Sequence, residues 1–147
     1  MFKTYKGRFT PKNPEKYMGD PNNIIYRSSW ELKMFTRLDA DPNIVRWASE
    51  EFSIPYFSPV DKTWHRYFPD FIIKAKSKDG NTKTIVVEVK PYQQTIPPQY
   101  GQKPTRRYLN EIMTWGVNEA KWKAANEFCL DRGWTFQIIT EKDLNIK

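Results

Sequence analysis

Apolar and polar positions first repeat with a helical period and then with the period of a strand. Ser28 and Glu31 have the spacing of a helix-capping pair, and a helical pattern follows to about Leu38, where Pro42 closes it. Residues 44–57 are rich in β-branched and aromatic side chains, which predicts one or two short strands. This part of the chain is therefore expected to form a helix followed by strands.

The clearest pattern is a β-hairpin between residues 64 and 89. Its strands are predicted at 67–76 and 84–90, and the sequence Asp79-Gly80 between them is typical of a tight turn. A hairpin centred on this turn pairs residues whose numbers sum to about 159. Asp70 would then lie opposite residues 88–90.

The last third of the chain predicts a loop, a helix and a final strand. Residues 91–104 contain four prolines and four glutamines, which indicates a loop of unusual length. Thr105 can cap a helical region that runs to about Arg132 and is interrupted at Gly116. Gly133 would end this helix, and residues 134–140 would form a strand.

Composition limits the classes of protein that fit. A length of 147 residues favours one domain, and 16% aromatic residues indicate a folded chain. No stretch approaches the roughly 18 apolar residues of a membrane span. A single cysteine, Cys129, cannot form an internal disulfide, and the first residues lack the apolar segment of a secretion signal. A reducing cytoplasm is expected.

Positive charge is concentrated near the N-terminus. The net charge is +7, and residues 1–27 contain six basic and two acidic side chains. Prolines and glycine interrupt this segment, so it is predicted to be an extended or irregular arm before a domain at 28–147. The arm is expected either to bind DNA phosphates, with Lys3, Lys6 and Arg8 as candidate contacts, or simply to be solvated.

The candidate chemistry is that of carboxylates. The sequence has no glycine-rich phosphate loop, no paired cysteines and one histidine, His65, which is expected to be exposed or satisfied rather than a ligand. Glu88 and Lys90 share one face of their predicted strand, with Asp70 opposite. Two carboxylates this close could hold a divalent cation, and the lysine could orient or deprotonate a water molecule. The alternative is an exposed ion pair on a solvated strand.

Glu31 is a further candidate. At 100° per residue it falls in the middle of the apolar face of the first helix, where a carboxylate is rarely buried without a partner. Alternatively, it serves only as the capping partner of Ser28. The two interpretations can both hold.

The motif residues resemble a known nuclease signature. Phe68-Pro69-Asp70-Phe71 and Glu88-Val89-Lys90 are similar to the PD-(D/E)xK motif. Further segments between residues 28 and 141 follow in the order of the N-terminal nuclease domain of TnsA-type transposase subunits: Ser-Ser-Trp-Glu31, Asp-Pro-Asn-Ile-Val45, Ile54-Pro-Tyr56 and Phe136-Gln-Ile-Ile-Thr-Glu141. The whole chain, with its size and basic arm, is also similar to the T-even-like phage nucleases that act in head completion.

This resemblance implies an α/β fold, namely a restriction-endonuclease-like mixed central sheet flanked by helices. It implies a Mg²⁺-dependent endodeoxyribonuclease, with Mn²⁺ able to substitute, in which Asp70, Glu88 and the Val89 carbonyl bind the metal. Lys90 would position the attacking water, and Glu31 would complete the site. One departure is Glu88, which stands where the transposase nuclease carries an amide, and this favours activity.

The resemblance also implies the partners. Double-stranded DNA would be the substrate, and phage head or portal proteins would be partners, in the host cytoplasm or the virion. Lys103, Arg106 and Arg107 are candidate phosphate contacts, or else a solvated start of a helix. The alternative function is a non-catalytic head-assembly protein that binds DNA ends or portal components.

Overall fold

The computed structural model describes residues 6–99 and 105–143. In these ranges the elements follow in the order β1 (Gly7–Phe9), β2 (Ile24–Tyr26), α1 (Ser29–Ala40), β3 (Ile44–Ser49), β4 (Ile54–Phe57), β5 (Trp64–Tyr67), β6 (Phe71–Lys76), β7 (Thr82–Val89), α2 (Arg106–Asp131) and β8 (Thr135–Ile139). Short 3-10 turns lie at Pro14–Lys16 and Tyr92–Thr95.

The central sheet has four strands in the order β3-β6-β7-β8. β6 is antiparallel to both β3 and β7, whereas β8 runs parallel to β7 after the crossover through α2. α1 packs beside β3, and α2 contacts β4 and β8. The predicted fold class, a restriction-endonuclease-like mixed sheet with flanking helices, is confirmed.

The helix α1 begins as the sequence predicts. The hydroxyl of Ser28 accepts a hydrogen bond from the backbone N–H of Glu31 at 3.1 Å, which satisfies one donor of the first turn. The helix continues to Ala40, two residues beyond the predicted end, and stops before Pro42. Met34, Phe35 and Leu38 are buried on its inner face.

The predicted hairpin is present, but its first strand is divided. β5 ends at Tyr67 and β6 begins at Phe71, so a continuous strand over 67–76 is wrong. The buried Pro69 lies in the gap, where it has no N–H to donate to a ladder. β5 pairs with β4 instead, and β6 pairs with β7 so that Phe71 opposes Val87, one residue from the predicted register.

The predicted interruption of the second helix at Gly116 is also wrong. α2 runs unbroken from Arg106 to Asp131, and Thr105 caps it by accepting from the backbone N–H of Tyr108. Gly116 sits close to Pro59, and a β-carbon at this position would be 3.9 Å from the proline ring. Helix packing outweighs the cost of about 1 kcal/mol that glycine carries inside a helix.

The segment before α1 is more ordered than predicted. The sequence predicts an extended or irregular arm; β1 and β2 pair with each other in an antiparallel ribbon, and a short 3-10 turn at Pro14–Lys16 lies between them. Tyr17 and Ile24 are buried in the same core as Phe35 and Trp47. The backbone N–H groups of residues 12 and 13 also donate to the carboxylate of Asp39 on α1.

Two apolar clusters hold the layers together. The larger lies between α1 and the central sheet and includes Phe35, Trp47, Phe71 and Val87. The smaller lies between the β4–β5 ladder and α2 and is built on Ile54, Tyr56, Tyr67 and Ala125. No helix in the part of the chain that the structure describes is long and apolar enough to cross a membrane.

Candidate active site

The predicted site residues meet where β6 begins and β7 ends. Asp70 directly precedes β6, Glu88 and Val89 are the last residues of β7, and Lys90 follows. The Oδ2 atom of Asp70 accepts a hydrogen bond of 2.7 Å from the backbone N–H of Val89. The structure therefore brings Asp70, Glu88, Val89 and Lys90 together at one end of the hairpin, as the sequence predicted.

Glu88 is held by one hydrogen bond and one ion pair. Its side chain is buried, with 7% of the residue exposed. Oε2 accepts a hydrogen bond of 2.7 Å from the Tyr67 hydroxyl, and Oε1 lies 3.6 Å from the Lys90 ammonium. Burial and the charge of Glu88 raise the pKa of Tyr67 far above its usual range, so this phenol stays neutral and donates. The carboxylate is thus fixed before any ligand arrives.

Asp70 lies in a strongly acidic environment. Burial, followed by the negative charge of Glu88, raises its pKa from 3.8 to about 7, and the Val89 N–H opposes this shift. The charges of Glu50 and Glu31 add to the increase. Carboxylates crowded in this way are stabilised by a cation or a proton between them.

Glu31 combines both predicted placements. Its backbone N–H donates to the Ser28 hydroxyl. Its Oε1 accepts a hydrogen bond of 3.1 Å from the backbone N–H of Arg27, whereas in a complete capping box it would accept from the backbone N–H of Ser28. Burial raises the pKa of this half-buried carboxylate although the Arg27 N–H opposes it. Because its charge also acts on Asp70, Glu31 belongs to the acidic environment of the site. Its part in a reaction stays a prediction.

Two side chains of this environment were missed from the sequence, Glu50 and Tyr67. Glu50 follows β3 with a left-handed backbone (φ 54°), and its N–H donates to the Asp70 carbonyl at 3.2 Å. Its carboxylate pairs with the Arg27 guanidinium. The pairing of Ser49 with Phe71 puts Glu50 beside Asp70, and a sequence does not show which distant strands pair.

Asp70 and Glu88 are the two carboxylates that could hold a metal ion at this site. Within residues 6–99 and 105–143, no three His, Cys, Asp or Glu side chains form a group that could hold a metal ion. Mg²⁺ is commonly bound by one or two carboxylates and completes its shell with water and substrate phosphate, which suits Asp70 and Glu88. The Val89 N–H is engaged by Asp70, and the role of its carbonyl stays a prediction.

The predicted DNA contacts are scattered on the surface. Lys6 and Arg8 are exposed at β1, and Arg106 and Arg107 are exposed at the start of α2, where Arg107 also pairs with Glu111 at 3.2 Å. A groove of about 900 Å³ separates this part of α2 from the loop after β7, and its lining includes both arginines, Gln94, Ile96 and Trp115. Lys3 and Lys103 lie outside the described residues.

His65 is not part of this cluster. It is exposed on β5, pairs with Asp61 at 2.6 Å and stacks on Tyr56. This is the satisfied, exposed histidine that the sequence predicted.

Comparison with known proteins identifies the class. Residues 41–141 match the family described as TnsA-like endonuclease N terminal, a match that starts directly after α1 and contains Asp70, Glu88 and Lys90. The chain belongs to this family of TnsA-like N-terminal endonuclease domains. Among individual proteins, it is 42% identical over 144 residues to the head completion nuclease of Enterobacteria phage T4, which covers 95% of this chain and 93% of the phage protein.

Proposed function

We propose that this protein is a Mg²⁺-dependent DNA endonuclease that acts in phage head completion. The observation that carries the proposal is the meeting of Asp70, Glu88 and Lys90 at one end of the β6–β7 hairpin, with Asp70 bonded to the backbone beside Glu88. The name of the T4 relative supports the biological setting. Double-stranded DNA would be the substrate, with head or portal proteins as partners in the infected cell or the virion.

The chain's own residues divide the work of phosphodiester hydrolysis. Asp70 and Glu88 would hold the metal, which when bound supplies positive charge to the phosphate and makes a coordinated water more acidic. The Lys90 ammonium, kept near Glu88 at 3.6 Å, would hold the attacking water and offset charge that develops on the phosphate. Tyr67 fixes the orientation of Glu88, so little rearrangement is needed when DNA binds.

The direct test is cleavage of supercoiled plasmid with Mg²⁺, with Mn²⁺ and with EDTA. We expect nicking with either metal and none with EDTA. Asp70→Asn, which removes the charge and keeps the shape, should be inactive. The matched control is Asp131→Asn, which changes an exposed carboxylate at the end of α2 and should cut normally.

Two results would contradict the proposal. One is cleavage that persists in EDTA, and the other is normal cleavage by Asp70→Asn. A non-catalytic protein that binds DNA ends would retain DNA under all three conditions and cut none of it.

A further inference from the structure

The β4–β5 ladder has an outer face that packing does not explain. Side chains alternate along these strands, and Ile54, Tyr56 and Tyr67 point inward to the cluster with α2. The outward positions form two cross-strand pairs, Pro55 with Arg66 and Phe57 with Trp64. Trp64 is 70% exposed and Phe57 is 47% exposed.

These outward side chains form a row along β5 that continues to Phe68. The rings of Phe57 and Trp64 meet edge to face with centroids 5.6 Å apart. Farther along, the Arg66 guanidinium lies 5.3 Å from the centre of the Phe68 ring. Phe68 is itself 44% exposed and stands two residues before Asp70. We call Phe57, Trp64, Arg66 and Phe68 the aromatic row.

The aromatic row lies outside both buried clusters. The opposite face of the ladder already supplies the buried side chains, and an exposed tryptophan gains little from the removal of apolar surface from water. Exposed apolar groups that are gathered on one surface, rather than scattered singly, mark a site of interaction. The row therefore points to a ligand.

The chemistry of the row favours a nucleic acid strand with unpaired bases. Aromatic rings stack on bases of any sequence, and a guanidinium among them neutralises the phosphates that link those bases. In a fully paired duplex the faces of the bases are covered by their neighbours. Phe68, at one end of the row, stands two residues before Asp70, and this closeness in the chain to the candidate active site favours DNA over a protein partner.

We propose that the aromatic row binds unpaired bases next to the phosphate to be cut. The preferred substrate is then a duplex with an unpaired segment, such as a fork or a single-stranded end, rather than a fully paired duplex. This inference rests on the proposed nuclease function, because it names the form of DNA that the same site receives.

Binding in EDTA tests the row without any cleavage. Fluorescence anisotropy would compare three DNAs that share one sequence: a paired duplex, the same duplex with unpaired tails, and a single strand. The wild type should bind the tailed duplex at least about fivefold more tightly than the paired one, since stacking on an aromatic ring contributes about 1–3 kcal/mol per base. Trp64→Ala should lose this preference and keep its affinity for the paired duplex, whereas Trp64→Phe should retain most of it.

A second variant and a control sharpen the result. Arg66→Gln should make the plot of log affinity against log salt concentration less steep for tailed DNA, by the amount expected for the loss of about one phosphate contact. Leu130→Ala removes an apolar side chain that is 67% exposed at the far end of α2, and it should behave as the wild type.

Equal affinity of the wild type for paired and tailed DNA would overturn the inference. So would unchanged binding of all three DNAs by Trp64→Ala, the outcome expected if the row contacts a protein, or an equal loss on paired and tailed DNA. Cleavage with Mg²⁺ separates this inference from the proposed function. If Trp64 mediates binding of tailed DNA but the DNA is never cut, only the proposed nuclease function is contradicted. If paired and tailed DNA are bound and cut equally well, only the proposal that the aromatic row binds unpaired bases is contradicted.

Discussion

The Tyr67 hydroxyl donates a hydrogen bond of 2.7 Å to Oε2 of Glu88, across the junction between the β4–β5 ladder and the central sheet. Tyr67 ends β5, which Pro69 separates from β6, whereas Glu88 lies near the end of β7. The division of the predicted hairpin strand therefore has a consequence at the site. Tyr67 belongs to the β4–β5 ladder and not to the central sheet, and from there its hydroxyl orients the Glu88 carboxylate.

Removal of this hydroxyl should weaken metal binding as well as the fold. In Tyr67→Phe, the buried Glu88 keeps the Lys90 ammonium and loses its shorter contact, a hydrogen bond to a charged group that is worth about 1.5–3 kcal/mol. We expect about tenfold more Mg²⁺ to be needed for half-maximal cleavage. Single-turnover rates across a Mg²⁺ titration measure this, and high Mg²⁺ should restore most of the rate. An unchanged Mg²⁺ dependence would show that Tyr67 is only structural.

The three motif side chains should act as one unit. Asp70→Ala, Glu88→Ala and Lys90→Ala should each reduce cleavage by about 10³-fold or more, because each removes a part that the others need. The triple variant should then be little worse than any single one. Plasmid cleavage with matched thermal melts would check both points. Losses that multiply from variant to variant would argue against a shared site.

The sequence predicted the features of the site that depend on local spacing. Alternation along β7 placed Glu88 and Lys90 on one face, and the Asp79-Gly80 turn set the register that brings Asp70 opposite them to within one residue. Ser28 and Glu31 likewise fixed the start of α1. Each of these relationships spans a single turn or hairpin, so the pattern of residue types is sufficient.

The features that were missed depend on distant contacts. Glu50 reaches the site because β3 pairs with β6, and Tyr67 because β5 leaves the central sheet for β4. Gly116 favoured a break, but α2 runs through this position and packs against the β4–β5 ladder through Val117 and Ala120. The prolines of the first segment suggested an extended or irregular arm, but the burial of Tyr17 and Ile24 ties this segment to the core. Propensity is weaker than tertiary packing at each of these positions.

Glu31→Gln distinguishes a capping role from a role in the reaction. Glutamine can also accept the hydrogen bond from the Arg27 N–H, so a purely capping residue would lose a few tenths of a kcal/mol and keep its activity. If the negative charge helps to hold the metal, the same change should reduce cleavage by orders of magnitude. Because burial raises the pKa of Glu31, loss of its charge should leave stability equal or higher without metal. Single-turnover cleavage and melts in EDTA measure the two effects, and wild-type rates would remove Glu31 from the site.

The basic segment is best tested by substitution. Deletion of residues 1–27 would remove the buried Tyr17 and Ile24, so a loss of binding could reflect a loss of folding. Lys6→Gln with Arg8→Gln changes only exposed charges. If both contact phosphates, the double variant should bind all DNA sequences more weakly and flatten the salt dependence by about two contacts. Lys78→Gln, at the exposed turn between β6 and β7, is the matched control. An unchanged salt slope would leave this segment solvated or available to a protein.

The raised pKa of Asp70 predicts how stability depends on pH. Its carboxyl group has a pKa of about 7 in the folded protein and an ordinary value of 3.8. Below about pH 4 Asp70 is protonated in both the folded and the unfolded chain, and the contribution of the neutral Asp70 to the free energy of unfolding is fully present. Between about pH 4 and pH 7 Asp70 is ionised in the unfolded chain but still protonated in the folded protein. The free energy of unfolding therefore falls as the pH rises through this range, and the contribution of the neutral Asp70 is lost above pH 7. Asp70→Asn cannot ionise and should therefore be more stable than the wild type near pH 8 in EDTA, by about 1–3 kcal/mol, with little difference near pH 4. Urea unfolding across this range measures the difference, and Asp131→Asn serves as the control.

Mg²⁺ should stabilise the wild type near pH 8 and have much less effect on Asp70→Asn, because only the wild type keeps both carboxylates. Parallel stability curves for the two proteins would mean that Asp70 does not carry the buried charge on which the proposed metal site depends.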